Sequence, residues 1–342
     1  MKYLKMRLYR RLVSLLLFLA MCCSVANAQN PNFHIYLAFG QSNMEGQGEI
    51  QIQDKTVPDN FKVLWSANNS TVYGVLREKG KWYPATPPLA HNSGAKLSVA
   101  DYFGRTLADK LSPNITIGII NVSMAGASIQ LFDKNNYQSY INKQQDWFKQ
   151  RVQVYDNNPY GRLIEMAKLA QKDGVIKGII MHQGETDAKD ADWPNKVKAV
   201  YDNIINDLGL GDDIPLLAGE VLKSGVGSAA NQLIAKLPKQ SKNFYVVSSE
   251  GFYQALGDGQ NVHFTTQEYR DFGKRYADMM KEILGDKLSP VSAVVTGMEQ
   301  VQGTKVSTPS TFYSLDGMQQ PPFLPGITIM KNGRKVKKIL TK

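Results

Sequence analysis

The stretch Val175-Ile176-Lys177-Gly178-Ile179-Ile180-Met181-His182-Gln183 is almost continuously apolar until its last two residues. Alternating polar positions would mark a strand with one wet face. Their absence marks a strand covered on both faces, as in a parallel sheet. The same texture recurs in Ile117-Gly118-Ile119-Ile120. Working outward, the sequence predicts strands over 34–40, 62–67, 116–123, 175–183, 215–222 and 244–250. Between them lie helical patterns over 97–111, 160–172, 195–207 and 265–284. In the first of these, Val99, Phe103, Leu107 and Leu111 recur at spacings of four, on one stripe. Strands alternating with helices predict an α/β fold, a central parallel sheet with helices on both sides. In such sheets ligands bind where the strands end at their carboxyl side.

Composition limits what this domain does. The 342 residues include 43% hydrophobic and 20% charged residues, an ordinary globular balance. The net charge of +10 belongs to the two ends. Lys2, Lys5, Arg7, Arg10 and Arg11 lie in the first 28 residues. Lys331, Arg334, Lys335, Lys337, Lys338 and Lys342 lie in the last 13, and neither end carries an acid. The body between them is near neutral and offers no electrostatic footprint for nucleic acid.

Residues 1–28 read as a secretory signal peptide: a basic start, an apolar run from Leu12 to Ala20, and Ala26-Asn27-Ala28 before a cleavage expected at Gln29. The apolar run is short for a permanent span, and no other segment is long and apolar enough to cross a membrane. Met21 before Cys22 is a poor fit to a lipoprotein signal. Both cysteines, Cys22 and Cys23, fall within the leader, so the mature chain is expected to carry no disulfide, thiolate nucleophile or cysteine metal site. The reading is a secreted protein: periplasmic, surface-attached or extracellular.

Four segments at strand ends carry candidate chemistry. Gly40-Gln41-Ser42-Asn43-Met44 follows the first strand and would project the Ser42 hydroxyl from a sharp turn. Read alone, it serves a helix cap equally well. Asn121-Val122-Ser123-Met124-Ala125-Gly126-Ala127-Ser128 exposes backbone N–H groups after the third strand. Met181-His182-Gln183-Gly184-Glu185-Thr186-Asp187 sets polar groups at the end of the most apolar strand, where they are costly unless used. Asp258-Gly259-Gln260-Asn261-Val262-His263-Phe264 lies in a loop before the last helix. His263 there is either a general base or an ordinary solvated histidine. His34, His91 and His182 are the other histidines.

Together these segments, over about residues 33–285, resemble the SGNH hydrolase superfamily, and within it the sialate O-acetylesterase and acetyl xylan esterase group, carbohydrate esterase family 6. Gly40-Gln41-Ser42-Asn43-Met44 is similar to the family's nucleophile block and His182-Gln183-Gly184-Glu185 to its second signature. Gly126 matches the glycine block, and His263 with Phe264 the last block. The resemblance implies a flavodoxin-like three-layer α/β/α sandwich. It implies Ser42 as nucleophile and His263 as base, with Ser42 N–H, Gly126 N–H and the Gln183 amide as oxyanion hole. It implies no metal and no cofactor. One departure stands out: the superfamily's Asp three residues before the histidine is Gln260 here. Asp258 takes the role of orienting acid in our reading, with Glu185 as a possible second acid or substrate contact, and a Ser–His dyad as a further option.

The expected function is hydrolysis of acetyl esters on polysaccharide, of the acetyl xylan type, through an acyl-enzyme. Removal of O-acetyl groups from sialic acid is the alternative within the class. Outside it stand a carbohydrate-binding protein on an inactive hydrolase fold and a structural envelope protein. Met44, Ala125 and Ala127 would suit a shallow acyl pocket, and Tyr137, Tyr140, Trp147, Tyr160 and Trp193 could stack on sugar rings. The domain plan is signal peptide 1–28, esterase domain 29–285, linker 286–311 and a short β tail 312–342. Asn332-Gly333 is a hairpin turn signal in that tail. Leu315-Asp316-Gly317, the segment 326–330 and Asn332-Gly333-Arg334-Lys335-Val336 resemble the sorting modules of the type IX export route, so the tail is a candidate partner of export machinery.

Overall fold

The computed structural model describes residues 29–223, 226–253 and 262–292, together with strands at 311–313, 319–320, 326–332 and 335–341. The leader with Cys22 and Cys23, the acid Asp258, Gln260, Leu315-Asp316-Gly317, Gly333 and Arg334 lie outside the described residues.

A seven-stranded sheet forms the centre. Strand β1 (Asn30–Gly40) lies between β6 (Thr116–Ser123) and β7 (Gly174–His182). Beyond β6 come β2 (Phe61–Leu64) and the edge strand β5 (Trp82–Pro84). Beyond β7 come β8 (Leu216–Gly219) and β9 (Phe244–Val247). All neighbours run parallel except β5, which pairs antiparallel with β2. A small hairpin of β3 (Ser70–Val72) and β4 (Val75–Arg77) stands apart from this sheet.

The continuous apolar texture of β1 has the expected cause. Ile35, Leu37 and Phe39 enter one buried cluster with α6 (Pro159–Ala170) and α7 (Trp193–Leu208). Tyr36 and Ala38 enter a second cluster on the opposite face, with α3 (Val99–Lys110) and α9 (Thr266–Leu284). Each large apolar side chain fully buried this way contributes ~1.5–3 kcal/mol. The α3–α9 contact is close because Gly273 lets it be. A Cβ there would sit 2.5 Å from the Val99 carbonyl oxygen.

Three strands, β2, β8 and β9, are shorter than the sequence predicts, and at the ends of the last two side chains take over backbone groups. Asn231 of α8 (Gly227–Ile234) bonds both the N–H and the C=O of Val221 at 2.8 and 2.9 Å, which ends the β8 ladder. Glu220 accepts from the Ser249 N–H at 2.9 Å, just after β9 ends.

The chain divides into two compact units, Met1–Pro290 and Val291–Lys342. The second contains a four-stranded antiparallel sheet. Within it β10 (Thr311–Tyr313) lies between β11 (Gln319–Gln320) and β12 (Gly326–Asn332), and β12 pairs with β13 (Lys335–Thr341). Asn332 pairs with Lys335 at the end of this ladder; Gly333, the second residue of the predicted hairpin turn, lies outside the described residues. Among the described residues no helix is long and apolar enough to cross a membrane.

Candidate active site

Three of the four sequence segments meet because their strands are neighbours. Gly40 pairs with Ser123 on β6 and with His182 on β7, so all three strands end at one level. Gln41 N donates to the His182 carbonyl at 3.0 Å, and Met124 N to the Gly40 carbonyl at 3.1 Å. Glycine is required at position 40: a Cβ would lie 2.1 Å from the His182 carbonyl oxygen. The chain then turns into the short helix α1 (Ser42–Glu45), with Ser42 as its first residue.

Ser42 and His263 line one cavity of about 630 Å³, which Gln41, Ala125, Gly126, Trp147, Arg151, Glu185 and Thr186 also line. Among the described residues no acceptor faces the N–H of Ser42 or of Gly126. Gly126 sits at φ +75°, a conformation that suits glycine, and a Cβ on it would come within 3.3 Å of the Trp147 ring. Met44 and Ala127, expected in an acyl pocket, are instead buried in the core, while Ala125 lines the cavity. Of the aromatic residues weighed for sugar stacking, Tyr140, Tyr160 and Trp193 are buried, and Trp147 stands exposed at the cavity.

The other three histidines have different surroundings. Burial pushes the His182 pKa down to about 3, and the ring packs edge-on against Phe264 and Phe272. The Tyr276 hydroxyl donates to the Met181 carbonyl at 2.8 Å, so His182 Nδ1 is the donor in its 3.2 Å contact with that hydroxyl. Burial, reinforced by Lys177, pushes His34 down to about 4. His91 is buried, not solvated. The Ser93 N–H donates to its Nδ1 at 3.1 Å, which fixes the other proton on Nε2, where it is donated to Glu45 at 2.8 Å.

Gln183 is buried, and the cavity wall is formed by Gln41 instead. The Gln183 amide nitrogen donates to Asp187 Oδ2 at 2.5 Å, with the Gln41 Oε1 and Ala127 carbonyl both at 3.2 Å. Its carbonyl accepts from Trp193 Nε1. Both amide hydrogens therefore have protein acceptors. Gln41 Oε1 accepts from Gln183 and, at 3.4 Å, from the N–H groups of Gly184 and Thr186.

Glu185 is buried against Asn43, whose Nδ2 donates to its Oε1 at 2.6 Å, while Oε2 has no hydrogen-bond partner. Burial pushes its pKa up to about 7. Its carboxylate is not on His263 in this arrangement.

One residue of the site escapes a sequence reading. Glu45, three places after Ser42, is fully buried beneath the cavity. Its Oε1 accepts from Ala125 N at 3.0 Å and from His91, and its Oε2 from Arg151 at 2.7 Å and Gln47 at 3.1 Å. It ties the nucleophile helix to the loop that presents Gly126. A carboxylate at the end of a short turn was the available signal. Its partners, 46 and 106 residues away, were not.

A doubly covered α/β sheet with a serine, a histidine and open N–H donors in one cavity at its strand ends defines an ester hydrolase. Residues 32–282 match the model of the family described as carbohydrate esterase, sialic acid-specific acetylesterase, and the chain belongs to that family. Its activity class is carboxylic ester hydrolysis on carbohydrate. Solved structures repeat the fold. A protein of Arabidopsis thaliana matches with TM-score 0.56 and 20% identity, over 74% of this chain and 98% of that one. A carbohydrate acetylesterase of Xanthomonas citri matches with TM-score 0.51 and 18% identity, over 89% and 72%. NanS matches with TM-score 0.54 and 16% identity, over 74% and 98%.

Proposed function

We propose that this protein is a secreted carbohydrate O-acetylesterase that works through an acyl-enzyme on Ser42. The observation that carries the reading is the single cavity wall holding Ser42, His263 and Gly126, with unaccepted N–H groups on Ser42 and Gly126. His263 takes the Ser42 proton as the hydroxyl oxygen attacks the acetyl carbonyl. The oxyanion forms against the two N–H groups. The sugar alcohol then leaves with the proton, and water, activated by the same histidine, releases acetate and restores Ser42. Asp258 orients His263. Supporting that choice, the rival acid Glu185 makes no hydrogen bond to the histidine among the described residues: its Oε1 is taken by Asn43 and its Oε2 has no hydrogen-bond partner.

For the sugar, two readings stand: polysaccharide of the acetyl xylan type, and O-acetylated sialic acid. The second is favoured by Arg151 on the cavity wall, whose guanidinium is held through Nη2 by Glu45 and suits a sugar carboxylate at its remaining N–H groups. The basic leader, with cleavage before Gln29, supports export. The C-terminal strands, with Asn332 paired to Lys335, support a sorting module that meets export machinery. The decisive experiment measures acetate release from acetylated xylan, acetylated pectin and O-acetylated sialoglycan side by side, with Ser42→Ala as control. Release by wild type and none by Ser42→Ala is expected. Binding of the sugars without any release would leave a carbohydrate-binding protein instead.

A further inference from the structure

The nucleophile and the base come from opposite ends of the domain, and one side chain joins the two backbone segments that carry them. Asn43 follows Ser42 directly and is fully buried. Its Nδ2 donates to the carbonyl of Val262, the residue before His263, at 3.0 Å. The second Nδ2 hydrogen goes to Glu185 Oε1 at 2.6 Å, at the end of β7. Its Oδ1 accepts from the Tyr269 hydroxyl of α9 at 2.5 Å. All three polar positions of the amide are thus engaged, and its rotation is fixed from both ends. On the far side of the histidine, Phe264 is fully buried, 5.2 Å from the Phe272 ring and 5.8 Å from Tyr269. His263 therefore lies between a residue anchored in the core and a residue anchored to the nucleophile turn.

We propose that Asn43 is the positioning residue that sets His263 against Ser42, with Tyr269 and Glu185 fixing its amide. The inference rests on the reading of Ser42 and His263 as nucleophile and base. A serine is activated only when the imidazole stands within a hydrogen bond of its hydroxyl, and a displacement of about 1 Å costs on the order of 10²-fold in rate. Loosening the Val262 carbonyl permits such a displacement. The Ser42 N–H and the Gly126 loop, held separately through Glu45, would stay in place.

The test is a double-mutant cycle on the full-length mature protein, comparing Asn43→Ser and Tyr269→Phe in the wild-type and His263→Ala backgrounds. Two rates are followed, phosphonylation of Ser42 by a fluorophosphonate and turnover of 4-nitrophenyl acetate, with melting temperature as a check on folding. Asn43→Ser is expected to slow both by ~10²-fold, with KM changed by less than ~3-fold. Tyr269→Phe, which keeps the ring, should slow both by about tenfold. In the His263→Ala background both substitutions should be nearly silent. Equal losses in the two backgrounds, or no loss from a folded Tyr269→Phe, would overturn the proposal. Wild-type protein that is phosphonylated on Ser42 but releases no acetate would sink the esterase reading alone, and the clamp would still be judged on labelling. Wild-type protein that is not phosphonylated at Ser42 would sink both.

Discussion

At the scale of single residues, Gln183 and Glu185 separate by environment. Gln183 holds Asp187 and Trp193 with the amide that the family resemblance assigns to the oxyanion. Gln183→Ala should therefore lose stability. A buried carboxylate and an indole N–H would lose partners, at ~2–4 kcal/mol by chemical denaturation. A fall in turnover with unchanged stability would return the amide to the oxyanion. Glu185 titrates abnormally because burial raises its pKa from 4.5 to about 7. Between those two values the folded protein keeps a proton that the unfolded chain has released. Stability then falls as pH rises through that window, and the loss is complete above about 7. Glu185→Gln keeps the acceptor for Asn43 and removes the charge. It should gain up to ~3 kcal/mol at pH 8 and almost nothing at pH 4, read from melting temperature against pH. Equal effects at both pH values would refute this. For the acid behind His263, Asp258→Asn should cut turnover by at least ~10²-fold, as expected when a histidine loses its orienting carboxylate. A nearly silent Asp258→Asn would leave a dyad, with Gln260 as its signature.

Among the elements, helix α3 and helix α9 are closely packed. Gly273 lies against the backbone of α3, with Val99 O and Phe103 N at 2.5 and 2.8 Å from its missing Cβ. Alanine is the better helix former by about 1 kcal/mol, yet Gly273→Ala should destabilise by ~1–3 kcal/mol, because the methyl group meets rigid backbone. Denaturant midpoints measure this, and a stabilised Gly273→Ala would show the helices free to separate. The same α9 carries Tyr269, so a shift of the helix should also reach the Asn43 amide. At the strand ends, the antiparallel edge strand β5 and the helices α4 (Tyr137–Asn142), α5 (Asp146–Val152) and α8 were not visible in sequence periodicity. Each is short, and α4 and α5 bury few residues. Yet α5 delivers both Trp147 and Arg151 to the cavity, one helical turn apart.

For the whole molecule, the mature chain is expected to begin at Gln29, which N-terminal sequencing of exported protein checks; a lipid-modified start at Cys22 or Cys23 would overturn it. The sequence by itself determined the sheet and its place for chemistry. Apolar runs such as 176–181 have only one comfortable setting, buried on both faces, and Ser42, Gly126 and the 182–187 segment follow the ends of strands within those runs. Backbone periodicity is local, so it is written in neighbouring residues. What the tertiary structure alone decided is which groups remain available. Gln183 and His182 look as reactive in sequence as Gln41 and His263. They differ because Asp187 and Trp193 lie against the one, and a shell of Phe264, Phe272 and Tyr276 against the other. Glu45 and Asn43 gain their roles only from partners contributed by distant segments: Ala125, His91 and Arg151 for the first, Val262 and Tyr269 for the second. Hydrogen bonding and desolvation act across space, and no spacing along a single chain encodes who will stand beside whom.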